Sequence, residues 1–150
     1  KNNGGDLQAL SGSELSALQS YLHQIKDAGV FLSLVNENAD QLKLWLELHY
    51  NPMLIDANGN NISSGLPTVK NAISDYLKNL QFNGEFSLQA LQDALQAVDG
   101  VVYAKISLAM VKATTAPYFQ TVNVFYIPTS GYLRIVSDSD LQITYVPYAN

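Results

Sequence analysis

The run QLKLWLELHYN, residues 41–51, alternates without a break. Leu42, Leu44, Leu46 and Leu48 fall on one side, and Lys43, Trp45, Glu47 and His49 on the other. Successive side chains of an extended chain point to opposite faces, so this pattern predicts a strand with one buried and one wet face. Pro52 ends its regular pairing or sets it at a sheet edge.

Helical patterns supply the cover for such a sheet. SGSELSALQSYLHQIKDAG (11–29) opens on a capping-box spacing, Ser11 with Glu14, with Ser13 as a rival N-cap. Its apolar stripe is Leu15, Leu18, Leu22 and Ile25, and Gly29 fits a left-handed C-terminal position. A second helix is predicted from about Leu66-Pro67, with Val69, Ile73, Tyr76, Leu77 and Leu80 on one face. Ser87 caps a third, whose stripe is Leu88, Leu91, Leu95 and Val98, closed by Asp99-Gly100. VVYAKISLAMVKA follows as a long strand with Val102, Ala104, Ile106, Leu108 and Met110 facing one way. Shorter strands are predicted at VFLSLVN, TVNVFYI, GYLRIV and LQITYV, the last two joined at SDSD as a hairpin. Helices in the first two thirds and strands at the end predict an α+β fold: about three helices packed on a mostly antiparallel sheet with a C-terminal hairpin. Residues 1–150 are read as one domain with a flexible leader at 1–10. Because it starts at Lys1 and not Met, the chain is expected to be a processed or trimmed form, or a fragment of a longer one.

Composition narrows the chemistry. There is no cysteine, which excludes thiolate catalysis, disulfides and cysteine-ligated metals. Eight Lys and Arg are spread along a chain of net charge -5, a distribution that argues against nucleic acid and anionic membrane as partners. No apolar run reaches the ~18 residues of a membrane span. His23 and His49 have no second ligand at metal spacing, and HQIKD lacks the second His of a zinc helix. Asp56 opens DANGN like a calcium loop, but Asn61 stands where the glycine is needed and Pro67 where the glutamate is needed. That loop and the turn holding Asp138 and Asp140 are read as side-chain-to-backbone turn chemistry. No nucleophile elbow and no glycine-rich phosphate loop is present. Catalytic, cofactor and metal residues are therefore assigned as none.

Aromatic residues are the surplus. Tyr103, Tyr118, Phe119, Tyr126, Tyr132, Tyr145 and Tyr148 all lie in the strand-rich half. Cross-strand pairing accounts for several of them, and exposed tyrosine is also enriched at protein interfaces. Trp45, on the wet face of its strand, either lies under the first helix or meets a partner. The partner-contact candidates are Trp45, Tyr118, Phe119 and Tyr132.

The stretch VKNAISDYLKNLQFNGEFSLQALQDALQAVDGVVYAKI carries a resemblance through Val69, Ile73, Tyr76 and Leu77, then Gly84, Ser87, Leu88 and Leu91, and last Val98, Gly100 and Val101. It resembles the C-terminal part of the baseplate J family of contractile-tail phages and prophages, with LKLWLELHYNPMLID like that family's strand before the helix pair. The ending IPTSGYLRIV…LQITYVPY is similar to tail proteins of phages infecting Bacteroides-type hosts. The resemblance covers roughly residues 40–112; family members are longer, and the C-terminal hairpin is not general among them. It implies a non-catalytic assembly subunit of the tail baseplate, without cofactor, made in the bacterial cytoplasm and carried in the virion tail. Its partners would be other baseplate or tail proteins, including copies of itself. The rival reading is a secreted, periplasmic or cell-surface bacterial module that binds a sugar or protein ligand. A third, an enzyme of unfamiliar type, lacks any paired acid, base or metal cluster to support it.

Overall fold

A computed structural model describes residues 2–3 and 6–148. In chain order the elements are β1 (Asn2–Asn3), β2 (Asp6–Leu7), α1 (Gly12–Ile25), β3 (Asp40–Tyr50), α2 (Thr68–Asn79), β4 (Phe86–Ser87), α3 (Leu88–Gln96), β5 (Val101–Lys112), β6 (Gln120–Thr121), β7 (Phe125–Tyr126), β8 (Leu133–Arg134) and β9 (Leu141–Pro147). Together they make an α+β fold of three helices and a mixed, mostly antiparallel sheet ending in a C-terminal strand.

β3 is the centre. It pairs antiparallel with β5 along one edge and parallel with β8 and then β9 along the other. Leu42, Leu44 and Leu48 are fully buried and Leu46 nearly so, as their alternation predicts. They meet Val69 and Ile73 of α2, Leu91 and Leu95 of α3, and Phe86. Complete burial of one such side chain stabilises by about 1.5–3 kcal/mol, so this single face is the main source of stability. α3 begins where its cap was read, with the Ser87 hydroxyl accepting from the Ala90 N–H at 3.4 Å. The Tyr76 hydroxyl ties α2 to that same cap, donating to the Ser87 carbonyl at 3.0 Å and accepting from its N–H at 3.1 Å. Gly100 turns the chain from α3 into β5 at φ +91°, and a β-carbon there would sit 2.8 Å from Leu54 Cβ, so only glycine fits.

Several expectations need correction. The C-terminal hairpin does not form: β8 and β9 do not pair with each other but run one after the other beside β3, with a short 3-10 turn at Asp138–Asp140 between them. The open edge of the buried, leucine-rich β3 offers each of them a partner, and their apolar residues pack with its inner face. VFLSLVN is irregular; among the described residues no strand pairs with it, and Val30, Phe31, Leu32 and Val35 are exposed. β5 does not keep one face throughout. Trp45 pairs with Leu108 and Leu46 with Ile106, leaving Ser107 as the extra residue of a bulge. One inserted residue reverses the alternation, so Ala104 and Ile106 face the helices while Leu108 and Met110 turn to the other side. α1 has its capping box, with the Ser11 N–H donating to Glu14 Oε2 at 2.9 Å, but it ends at Ile25, short of Gly29. It fully buries none of its residues: of its stripe, Leu15 and Leu22 are half-buried and Leu18 and Ile25 are exposed. In the expected leader, the backbone of Asn2–Asn3 pairs antiparallel with Asp6–Leu7, and Lys1, Gly4 and Gly5 lie outside the described residues.

Candidate protein-contact face

The sheet side away from α2 and α3 is assembled by strand alternation. β3 contributes Lys43, Trp45, Glu47 and His49, and the Ser107 bulge brings Leu108 and Met110 beside them. Tyr103 and Lys105, paired with His49 and Glu47, complete the β5 side, and Gln142 and Thr144 of β9 line the other edge. Trp45 is 45% exposed at the middle of this face. Leu108 and Met110 are half-buried next to it.

The charges on this face are held locally. Lys43 Nζ pairs with Asp140 Oδ1 at 3.2 Å and sits 4.3 Å from the centre of the Phe119 ring; Lys112 Nζ lies 6.0 Å from the same ring. Phe119 is thereby fixed at one end of the face between two cations, a favourable seat for an aromatic quadrupole. At the other end His49 Nε2 lies 2.9 Å from Glu47 Oε1, and the His49 and Tyr103 rings meet edge to face at 5.8 Å. The centre, Trp45 with Leu108 and Met110, is apolar and the periphery is charged. That is the anatomy of a contact patch, with an apolar middle and a polar rim.

The four contact candidates are not all brought together. Trp45 and Phe119 belong to the helix-free face, and Tyr118 is 72% exposed beside Phe119 in the chain. Tyr132 is half-buried on the helix side of the sheet, where its hydroxyl donates to the Glu37 carbonyl at 3.1 Å and its ring borders a cleft against α2. Sequence reasoning passed over the Glu47–His49 pair. The signal was available, because residues two apart on a strand share a face.

It also passed over Asp40, fully buried at the start of β3. The Asp40 carboxylate accepts from the Tyr126 hydroxyl at 2.8 Å and the Thr129 N–H at 2.7 Å, with the Thr114 N–H at 3.4 Å. Its own N–H donates to the Ser130 hydroxyl at 2.9 Å. This buried carboxylate gathers β7, the loop that follows it and the loop after β5 at the end of the sheet where Phe119 lies, and its paired donors meet the cost of removing it from water. Asp40 is in phase with Leu42, which was the one hint of its burial.

The Asp56 loop behaves as a turn of the expected kind, whereas at Asp138–Asp140 the Ser137 hydroxyl is the acceptor for the turn and Asp140 pairs with Lys43. Asp56 accepts from the Asn58 and Asn60 N–H groups at 2.8 and 2.9 Å and from the Asn60 side chain at 2.9 Å. The bonds from Asn60, foremost its backbone N–H, hold the Asp56 carboxyl below its ordinary pKa. Among the described residues no three His, Asp or Glu side chains gather as a metal-binding group, and no helix is long and apolar enough to cross a membrane. Compared with protein-family models, curated proteins and solved structures, the chain matches none of them.

Proposed function

We propose that this protein is a non-catalytic assembly subunit that works through protein–protein contacts on the helix-free face of its sheet. The carrying observation is Trp45, 45% exposed at the centre of an apolar patch rimmed by the Lys43–Asp140 ion pair and the Glu47–His49 hydrogen bond, on a side of the sheet that α2 and α3 leave uncovered. Eleven residues of β3 extend about 36 Å, and three strands span about 14 Å, giving a projected area of about 500 Å². That is of the order of the roughly 800 Å² that each partner contributes to a specific interface. Exposed apolar side chains elsewhere, on α1 and at Phe31, add to a surface that favours association over solitary existence. The baseplate J resemblance supplies the setting: the baseplate of a contractile tail, with other tail proteins and further copies of this chain as neighbours and the virion tail as the location.

The test is binding of the purified chain to the structural proteins encoded beside its own gene, with Trp45→Glu and Phe119→Glu as variants. Saturable binding to a tail structural protein, lost in both variants while their folding is kept, supports the reading. Full-strength binding by both variants, or a gene neighbourhood of outer-membrane transport proteins, overturns it. A second reading, a secreted or periplasmic binding module, is favoured by one feature, the cleft between α2 and β8.

A further inference from the structure

At its middle the sheet runs β5–β3–β9, so it has two outer edges, and they are unlike. On the β5 edge, β6 covers Met110 and Val111, Lys105 is exposed, and Gln92 of α3 donates to the Ala104 carbonyl at 2.5 Å. An edge lysine and a covering helix both hinder the addition of a further strand. β9 has neither. LQITYVP, residues 141–147, holds no charged residue, and Gln142 and Thr144 are exposed. Among the described residues no strand lies on the outer side of β9. An open edge of uncharged, β-branched and aromatic residues is a template for another strand.

The backbone sets which groups face outwards. The Tyr148 N–H donates to the Tyr50 carbonyl at 2.8 Å, towards β3. Backbone groups alternate in direction along a strand, so Val146, Thr144 and Gln142 bond towards β3 while Ile143 and Tyr145 turn their N–H and C=O outwards. Donors end there on both sides: the Leu141 N–H is taken by the Asp138 carbonyl, and Pro147 has no N–H. Ile143 and Tyr145 therefore offer two donors and two acceptors, on residues two apart.

We propose that β9 pairs antiparallel with β9 of a second copy of this chain, about a two-fold axis at Thr144. Ile143 then stands opposite Tyr145 of the second copy, and each such pair exchanges both of its N–H···O bonds. An axis at Ile143 would leave the Tyr145 carbonyl facing the engaged Leu141 N–H. An axis at Tyr145 would leave the Ile143 carbonyl facing Pro147. Only the axis at Thr144 uses all four groups. The side chains agree with it, because Ile143 against Tyr145 and Thr144 against Thr144 are favourable cross-strand pairs. The two copies of Asp140, next to β9, would lie about 26 Å apart, well beyond the ~8 Å screening length. A second copy meets this spacing by symmetry, which an unrelated strand does not. The axis stands perpendicular to the sheet, so both helix-free faces come to lie on one side of a continuous sheet. The inference concerns the strand edge and does not rest on the assembly reading.

The chain has no cysteine, so single cysteines report the register. Thr144→Cys places two thiols across the axis, at a Cα separation of about 4.5 Å that a disulfide spans. In Gln142→Cys the two thiols stand about 13 Å apart, out of reach, whereas Gln142→Cys mixed with Val146→Cys gives a directly opposed pair. Sedimentation of the full chain from ~10 µM to ~0.5 mM is expected to show a mass rising towards two chains, since an interface of this size associates weakly. Under mild oxidation, Thr144→Cys alone and the Gln142→Cys with Val146→Cys mixture should cross-link at least about tenfold faster than Gln142→Cys alone. Thr144→Lys sets like charges across the axis and should weaken the dimer at least about tenfold, and mixing it with Thr144→Glu should restore association. Position 144 is exposed, so these variants stay folded, which melting curves verify. Trp45→Glu, on the face and not the edge, should leave the dimer unchanged. A single-chain mass at every concentration, as for an edge that takes another protein's strand, would overturn the proposal. So would equal cross-linking at 142 and 144, a dimer indifferent to Thr144→Lys, or one abolished by Trp45→Glu.

Discussion

Replacing Tyr145 with phenylalanine removes one oxygen and leaves the ring in place. Tyr145 lies on the inner face of β9, level with Leu48, and its ring meets Tyr50 edge to face at 6.2 Å. Its hydroxyl is buried and finds no hydrogen-bond partner among the described residues. It is pressed against Gly59, where a β-carbon would collide with it. A buried polar group left unpaired costs about 1–3 kcal/mol, and the Tyr145→Phe change abolishes that cost. Against it stands the small void left by the oxygen, a few tenths of a kcal/mol at ~24 cal/mol per Å³. The net expectation is a gain of about 0.5–2 kcal/mol, or a Tm about 2–6 °C higher for a chain of this size.

Burial, and secondarily the negative charge of Asp56, pushes the Tyr145 phenol up to about 12 from an ordinary 10.0. The sign follows: with the folded pKa raised, the unfolded chain releases its proton first as pH rises. Stability from this group is therefore intact below pH 10 and declines from there towards 12. The Tyr145→Phe variant carries no phenol to titrate and has no such decline, so its advantage should widen across that window. Thermal and urea unfolding of both proteins at pH 7 and at pH 10–11 measures it. A variant destabilised by about 1 kcal/mol or more at pH 7 would mean that the hydroxyl has a partner and that the reasoning is wrong.

Three further outcomes are expected. Asp40→Asn puts an amide N–H₂ against groups that are themselves donors, and should cost about 2–4 kcal/mol by urea unfolding; a cost under ~1 kcal/mol would show that the buried carboxylate is not what gathers those loops. Leu44→Ala, at a fully buried position, should cost about 2–5 kcal/mol in the same assay. Deletion of residues 1–29 should move the Tm by less than ~3 °C, because α1 fully buries none of its residues; a larger loss would assign the helix a packing role.

What could be read from the chain was local. The β3 alternation, the Ser87 cap, and Leu91 and Leu95 on α3 depend on neighbours a few residues away, and all are found as expected. The misread features depend on distant partners. A one-residue bulge at Ser107 carries no mark in composition, yet it decides which side Leu108 and Met110 occupy. GYLRIV and LQITYV look like a hairpin from their spacing, but the free edge of β3 is a better partner than either is to the other. VFLSLVN has the residues of a strand and, among the described residues, no strand to join. At the contact face, Trp45 was legible from its position opposite the leucines. The seat of Phe119 between Lys43 and Lys112 was not, since it depends on how the loop after β5 folds back.

Trp45 is the chain's single tryptophan, which makes the contact face open to one clean observation. With 5-fluorotryptophan at that position, its 19F resonance reports solvent access through the shift between H₂O and D₂O. In the isolated chain a solvent shift is expected, in keeping with an indole 45% exposed. Bound to a partner on the face proposed for assembly, the residue should lose most of that shift as the apolar centre of the face is covered. An undiminished solvent shift in the bound state would contradict the assignment of this face and leave the assembly reading without its site.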